Sequence, residues 1–171
     1  KMSKHLAEKG LLEHTPYHGV RLTGHGQRVA LEVIRHHRLI ETYLQAALGY
    51  TWDEVDAEAE KLEHYISAEF EARIDEMLRF PAYDPHGWPI PRPDGTVAPL
   101  RGRPLSEAQE GDNVTVLRVR DGDPEALRYL ATLGLTLGAR LAVTERQPFN
   151  GPLTVRVGDR SRHIGLELAA S

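Results

Sequence analysis

Seven of the chain's 11 prolines, with Gly87, Gly95 and Gly102 among them, fall between Pro81 and Pro104. Proline lacks an N–H and clashes with the preceding helical turn, so neither a regular helix nor a central strand crosses this segment. The chain therefore divides there, and the two parts follow different periodicities. Before the division, Val29, Val33, Ile34, Leu39, Ile40, Tyr43, Leu44 and Leu48 recur at helical intervals over 26–48, which stops at Gly49. A second run, opening near Thr51 as N-cap, places Val55, Ala59, Leu62, Ile66, Phe70, Ile74 and Leu78 three or four apart and predicts one long helix. Two long helices joined by so short a turn should form an antiparallel hairpin. After the division, NVTVLRVR, RLAVTE, LTVRVG and HIGLEL have strand length and alternation, with a helical insert at 124–132. A small β-barrel of about five strands is expected there.

The front of the chain reads differently again. KMSKHLAEKG has helical spacing and a glycine C-cap, and LLEHT and GVRLT can pair around turn residues at 16–19, with Thr23 capping the helix that follows. Helix, two-stranded wing and helix make the latter half of a winged helix-turn-helix, and a start inside a helix with no leading cap suggests an N-terminally truncated piece. The net charge of -4 is unevenly placed: through Arg38 there are seven Lys/Arg against three Glu, and the remainder is acidic. A basic front is suited to phosphate and an acidic body to cations. Lys1, Lys4 and Arg21 are the candidate DNA contacts. The expected architecture is α+β, divided at 1–24, 25–80, 81–103 and 104–171. No stretch approaches the roughly 18 apolar residues of a membrane span and the N-terminus has no signal-peptide core, so a cytoplasmic location is expected.

With no cysteine, any metal must be held by imidazole, carboxylate or backbone oxygen. At about 100° per residue, Asp56, Glu60, Glu63 and His64 fall within about a quarter turn beside the apolar stripe. Glu60 and His64 are spaced i, i+4, and His37 and Glu41 repeat that spacing on the first helix. Facing one another in a hairpin, the two sets could bind an ion; as solvated helix faces they would need none. Carboxylates crowded beside an apolar stripe repel unless a cation neutralises them. His5, His14, His18, His25 and His163 lack a partner at ligand spacing and read as surface residues, and His36 should point away from His37 and Glu41. A metalloenzyme or a metal-storage protein could use the same cluster, although the sequence offers no separate nucleophile and base.

The segments HHRLIETYL, EAEKLEHYIS and PHGWPIP, in this order and spacing, resemble the dimerisation helices and following loop of the diphtheria toxin repressor family. From Pro104 onward, and especially in LGLTLGARL, the chain resembles the SH3-like (FeoA-like) domain of many members. The resemblance implies a homodimeric, non-enzymatic repressor of metal-transport genes that binds operator DNA when loaded with metal. It implies a principal metal site of His37, Glu60, Glu63 and His64, completed by a residue of a preceding helix. Glutamate at Glu60, where iron-responsive members carry cysteine, implies Mn2+, with Fe2+ the alternative. It further implies a second site of Glu41, Asp84, His86 and Asp121, where Asp84 replaces a cysteine of the family pattern. The iron-type second site uses a histidine at the position of Asp56 and a glutamate near Arg118, which cannot ligate; Asp56 is left as an outer participant.

Overall fold

The computed structural model describes residues 2–15 and 19–170. Helix α1 (Met2–Glu8) leads into a hairpin of β1 (Leu12–Thr15) and β2 (Gly19–Leu22), paired antiparallel from Leu12↔Leu22 to Thr15↔Gly19. Of the turn expected at 16–19 only Gly19 is among the described residues; Lys1 and the side chain of His14 also lie outside them. Thr23 joins this unit to the next helix. Its hydroxyl accepts from the Gly26 amide at 2.9 Å and donates to the Gly10 carbonyl at 2.7 Å, so one side chain caps a helix and anchors the hairpin.

Helix α2 (Gly24–Leu48) runs the expected course and ends at Gly49. The single long helix expected after it is instead two, α3 (Val55–Leu62) and α4 (Ala68–Met77). Thr51 does not cap: its amide and hydroxyl both bond the Glu54 carboxylate, at 3.0 and 2.7 Å, and helix begins only at Val55. The break has a local cause in Ser67, whose backbone is extended and whose hydroxyl accepts from the Phe70 amide, starting a new helix. Each helix then meets a different part of α2. Val55 and Ala59 of α3 pack on Ile40 and Leu44, whereas Ile74 of α4 packs on Leu39 together with Ile90 of the loop beyond. Each such aliphatic side chain stabilises the fold by about 1.5–3 kcal/mol on full burial.

A buried ionic network reinforces the second contact. Arg35 on α2 pairs with Glu71 and, at 2.6 Å, with Asp75, both on α4, and donates to the Pro91 carbonyl at 2.8 Å. His36 joins it through Glu71 at 3.0 Å, on the side away from Glu41. The proline-rich segment is thus held to the helices, and 82–91 folds into a tight loop closed by the Ile90 amide on the Ala82 carbonyl and by an isolated bridge between Tyr83 and Pro89. Gly87 sits at its tip with φ +87°, and a Cβ there would lie 2.1 Å from the Leu117 carbonyl oxygen, so no other residue lets the loop lie this close to the next domain.

The C-terminal domain contains a four-stranded antiparallel sheet in sequence order, β3 (Asn113–Thr115), β4 (Arg140–Arg146), β5 (Leu153–Val157) and β6 (Arg160–Ile164). Helix α5 (Pro124–Leu133), capped by the Asp123 carboxylate, and the short α6 (Leu166–Ala169) cover a core that includes Leu127, Leu141, Val143, Leu153, Val155 and Ile164. Four strands form in this domain among the described residues where about five were expected, and two of the expected runs are cut short as strands. NVTVLRVR leaves the sheet after Val116 and turns to the 82–91 loop, where the Val119 amide donates to the His86 carbonyl at 3.0 Å and the Trp88 indole donates to the Val119 carbonyl at 2.9 Å. HIGLEL ends β6 at Ile164 and becomes α6 after Gly165. The α2–α3 turn completes the docking: Trp52 packs on the C-terminal core and Asp53 pairs with Arg128 at 2.9 Å.

Candidate metal centre

Three elements converge beside the middle of α2. Glu41 faces inward from the helix, the 82–91 loop brings Asp84 and His86, and the α2–α3 turn closes over them. Glu41 and His86 are fully buried and Asp84 is nearly so. The Asp84 Oδ1 accepts the amides of His86 and Trp88, at 2.8 and 2.9 Å, which shapes the loop and leaves Oδ2 facing the cluster. His86 Nε2 lies 2.6 Å from the Trp52 carbonyl. A carbonyl only accepts, so Nε2 donates to it, which aims Nδ1 at Glu41 Oε1, 3.4 Å away.

The result is an excess of acceptors. Both oxygens of Glu41, the Oδ2 of Asp84 and the Nδ1 of His86 are buried without a hydrogen-bond partner. Arg38 Nε stands 3.4 Å from Asp84 Oδ2, but its Nη1 is committed to the Pro89 carbonyl. Burial, reinforced by the charge of Glu41, pushes the Asp84 carboxyl up to about 6. Buried lone pairs facing one another cost free energy that a cation would remove. The donor set therefore fits a divalent metal ion: one ligand atom from each of Glu41, Asp84 and His86 lies within 4.8 Å of the others.

A second triad shares Glu41. His37, one turn earlier on α2, places Nε2 at 3.6 Å from Glu41 Oε1 and 3.3 Å from Asp56 Oδ1 on α3. Its other nitrogen, Nδ1, meets Glu63 Oε2 at 2.8 Å. Burial alone would lower the His37 pKa; hydrogen bonds and charge from Glu41 and Glu63 outweigh it and raise the group to about 9. Glu63 Oε1 in turn lies 3.6 Å from His64 Nε2.

The residues singled out from the sequence thus divide. Glu41, Asp84 and His86 come together. His37, Glu63 and His64 form a contiguous row, but His64 is 66 % exposed and Glu60 is exposed on α3, outside both triads. Asp121 is half-buried beyond the Val119 contact and belongs to neither triad. Asp56, treated as an outer participant, stands in the His37 triad. The signal for it was present, since Asp56 shares the helical face that carries Glu60 and Glu63. On the hairpin unit, Lys4 and Arg21 are exposed on α1 and β2.

Residues 23–92 match the family model described as iron dependent repressor, metal binding and dimerisation domain, and residues 103–171 match the FeoA domain. The iron-dependent repressor IdeR of Mycobacterium leprae is 31% identical over 94% of this chain and 74% of its own length. A manganese-dependent transcriptional repressor solved in complex with manganese superposes with a TM-score of 0.90 at 44% identity, covering 98% of this chain and 78% of that one. The manganese regulator SloR gives a TM-score of 0.83 at 33% identity, covering 99% and 78%. These likenesses, with a helical domain that gathers carboxylates and imidazoles beside a small antiparallel domain, define a class of metal-dependent transcriptional repressors. The chain belongs to the diphtheria toxin repressor family within it, and is a regulator rather than an enzyme. Among the described residues, no helix is long and apolar enough to cross a membrane.

Proposed function

We propose that the chain is a cytoplasmic Mn2+-responsive repressor, in which metal held between α2, α3 and the 82–91 loop favours a dimer that binds operator DNA upstream of metal-transport genes. The observation that carries this reading is the set of buried, donorless acceptors on Glu41, Asp84 and His86. Carboxylate oxygen and imidazole nitrogen without thiolate suit Mn2+ better than softer metals. Glu60, Glu63, His64 and His37 are the proposed principal ligands, and Glu41, Asp84 and His86 the second set, with Asp121 of the C-terminal domain as a further ligand if that domain moves toward the cluster on loading. The 25–80 segment serves as the metal-binding and dimerisation unit, 1–24 as part of a winged DNA-binding domain, 81–103 as the connecting loop and 104–171 as the FeoA-like domain.

Dimerisation follows from apolar side chains left outward on the helices. Ile34 and Leu48 on α2, Leu62 on α3, and Phe70 and Met77 on α4 are all exposed, and a two-fold copy would bury such residues symmetrically. Lys4 and Arg21 on the hairpin unit are the proposed phosphate contacts, with Lys1, which lies outside the described residues.

Iron remains the second reading because IdeR relatives at this identity are iron-dependent by name. A paired titration separates the two. Mn2+ and anaerobic Fe2+ are each titrated into the parent, Glu60→Ala and His64→Ala, and operator binding is followed by gel shift. Manganese-selective activation that both substitutions weaken supports the reading; preferential activation by Fe2+, or Mn2+ binding unchanged in both variants, overturns it.

A further inference from the structure

We propose that the C-terminal domain binds a small amphipathic carboxylate, an acyl chain with its acid group, in a cavity between residues 101–105 and 114–120. The inference stands apart from the metal reading and uses none of the metal-binding candidates.

Shape and lining give the first reason. The cavity has a volume of about 320 Å³. That is the small end of the roughly 300–1,000 Å³ range of ligand pockets, so a small molecule fits it better than a macromolecule does. Its floor is the domain core itself, since Leu130, Leu141 and Ile164 line it and are buried. The walls add Val114 and Val116, and among the described residues Trp88 is the only aromatic side chain in the lining. An aliphatic surface of this kind is stabilised when hydrocarbon replaces water against it, and a flexible acyl chain can follow its contour.

Charge gives the second reason. Arg101, Arg103, Arg118 and Arg120 line the same cavity, and no Asp or Glu does among the described residues. The whole chain has 25 acidic residues against 21 basic ones, so its composition does not account for four arginines with no carboxylate between them. Three of the four are exposed and Arg118 is half-buried, which puts the positive charge at the solvent side of an apolar floor. Arg103 has an acidic partner, Asp112 at 3.0 Å. Arg118 lies over the Trp88 ring at 4.5 Å and Arg101 over the Tyr83 ring at 5.8 Å. Stacking occupies the face of a guanidinium and leaves its in-plane N–H groups able to donate. Among the described residues the Arg120 side chain makes no hydrogen bond or ion pair.

A carboxylate accepts from such groups in parallel pairs. One molecule with hydrocarbon at one end and a carboxylate at the other answers both halves of the cavity. Inorganic phosphate would leave the floor uncovered, and a neutral alcohol would leave the arginines without an anion.

The test separates charge from chain. The metal-free full chain, in chelator, is titrated calorimetrically with decanoate, with decanol and acetate as the controls, and amide chemical shifts locate the ligand. Decanoate should saturate at one per chain, with shifts concentrated at 101–105 and 114–120. It should bind about tenfold or more tightly than either control, the scale of a hydrogen bond to a charged group. Arg118→Gln and Arg120→Gln should each weaken decanoate by about tenfold while leaving decanol unchanged, a split that a merely structural role would not produce. Val116→Phe, which fills the cavity, should abolish binding, with circular dichroism as the check on folding; the arginine variants decide the matter if it does not fold. Absence of saturable decanoate binding, decanol as tight as decanoate, shifts confined to the exposed apolar faces of α2, α3 and α4, or unchanged decanoate affinity in both arginine variants overturns the proposal. Because the titration contains no free metal, each of these outcomes leaves the Mn2+ reading untouched.

Discussion

Gly87→Ala should disable the Asp84 and His86 triad without touching a ligand. The new Cβ would lie 2.1 Å from the Leu117 carbonyl oxygen and 2.9 Å from Arg118 Cα, and both are backbone, so no side chain can swing aside. The loop and the 117–119 segment must part. That breaks the bonds between the Val119 amide and the His86 carbonyl and between the Trp88 indole and the Val119 carbonyl. Two such bonds contribute about 0.5–1.5 kcal/mol each, and an alanine in the left-handed region costs about 1–2 kcal/mol more. A loss of about 3 kcal/mol in the docked loop corresponds to roughly a hundredfold weaker Mn2+ binding at this triad, at about 1.4 kcal/mol per decade. Gly95→Ala is the control, because φ is +82° and the nearest atom to its Cβ is a flexible Leu31 methyl at 3.8 Å. It carries the same conformational strain without the clash. Calorimetric titration of Mn2+ into both variants, with limited proteolysis of 92–104 as a readout of domain docking, tests the reasoning. Gly87→Ala that binds Mn2+ as tightly as Gly95→Ala, with the linker equally protected, would refute it.

Other consequences follow from the same geometry. Mn2+ should protect the linker from proteolysis in the parent, and His86→Ala should abolish that protection while leaving the metal bound through His64 in place, as read by metal count. His37 is raised to about 9 in the metal-free protein, above its unfolded value near 6.5. Its contribution to stability is therefore complete below about pH 6.5 and disappears as pH rises through about 9; thermal melts in chelator should fall over that window, and less steeply in His37→Gln. Asp84, raised to about 6, must be ionised to bind, so Mn2+ affinity measured by titration should decline below that pH. Glu60→Cys should shift preference from Mn2+ toward Fe2+ in anaerobic titrations, since thiolate is the softer donor. Sedimentation of the metal-free chain should give twice the 19.2 kDa chain mass; a monomer at tens of micromolar would remove the proposed dimer.

Much of the architecture was legible because it depends on local rules. Thr23 before an apolar-periodic run, Gly49 after it, strand alternation around 16–19 and the concentration of prolines after Pro81 each act through backbone chemistry within a few residues, and the helix, hairpin and loop form where those rules place them. The second helix was misjudged for the same reason. Leu62, Ile66 and Phe70 keep helical spacing across a break made by the hydroxyl of Ser67, and periodicity records which face is apolar, not whether the backbone is continuous. The same limit applies to the C-terminal domain, where Leu117 through Arg120 continue a strand-like run but Val119 spends its backbone hydrogen bonds on the 82–91 loop.

For the candidate metal centre, that limit separates the two proposed groups of ligands. Glu63 is the C-cap of α3 and His64 lies in the turn beyond it, so the i, i+3 and i, i+4 spacing from Glu60 does not hold these three on one rigid helical face. Their convergence depends on the conformation of the 63–67 turn. Glu41 is far in sequence from Asp84 and His86 and no spacing rule relates it to them, yet the three converge because Arg35, Arg38 and Gly87 fix the loop against α2 and the C-terminal domain. A metal ion bound at Glu41 would therefore act on a preformed junction between domains, whereas one bound at the proposed ligands Glu60 and His64 would have to order the turn that carries them. Of the two, the Glu41 centre should bind with the smaller entropic penalty, and the 63–67 turn should gain hydrogen-exchange protection only when the other group is loaded.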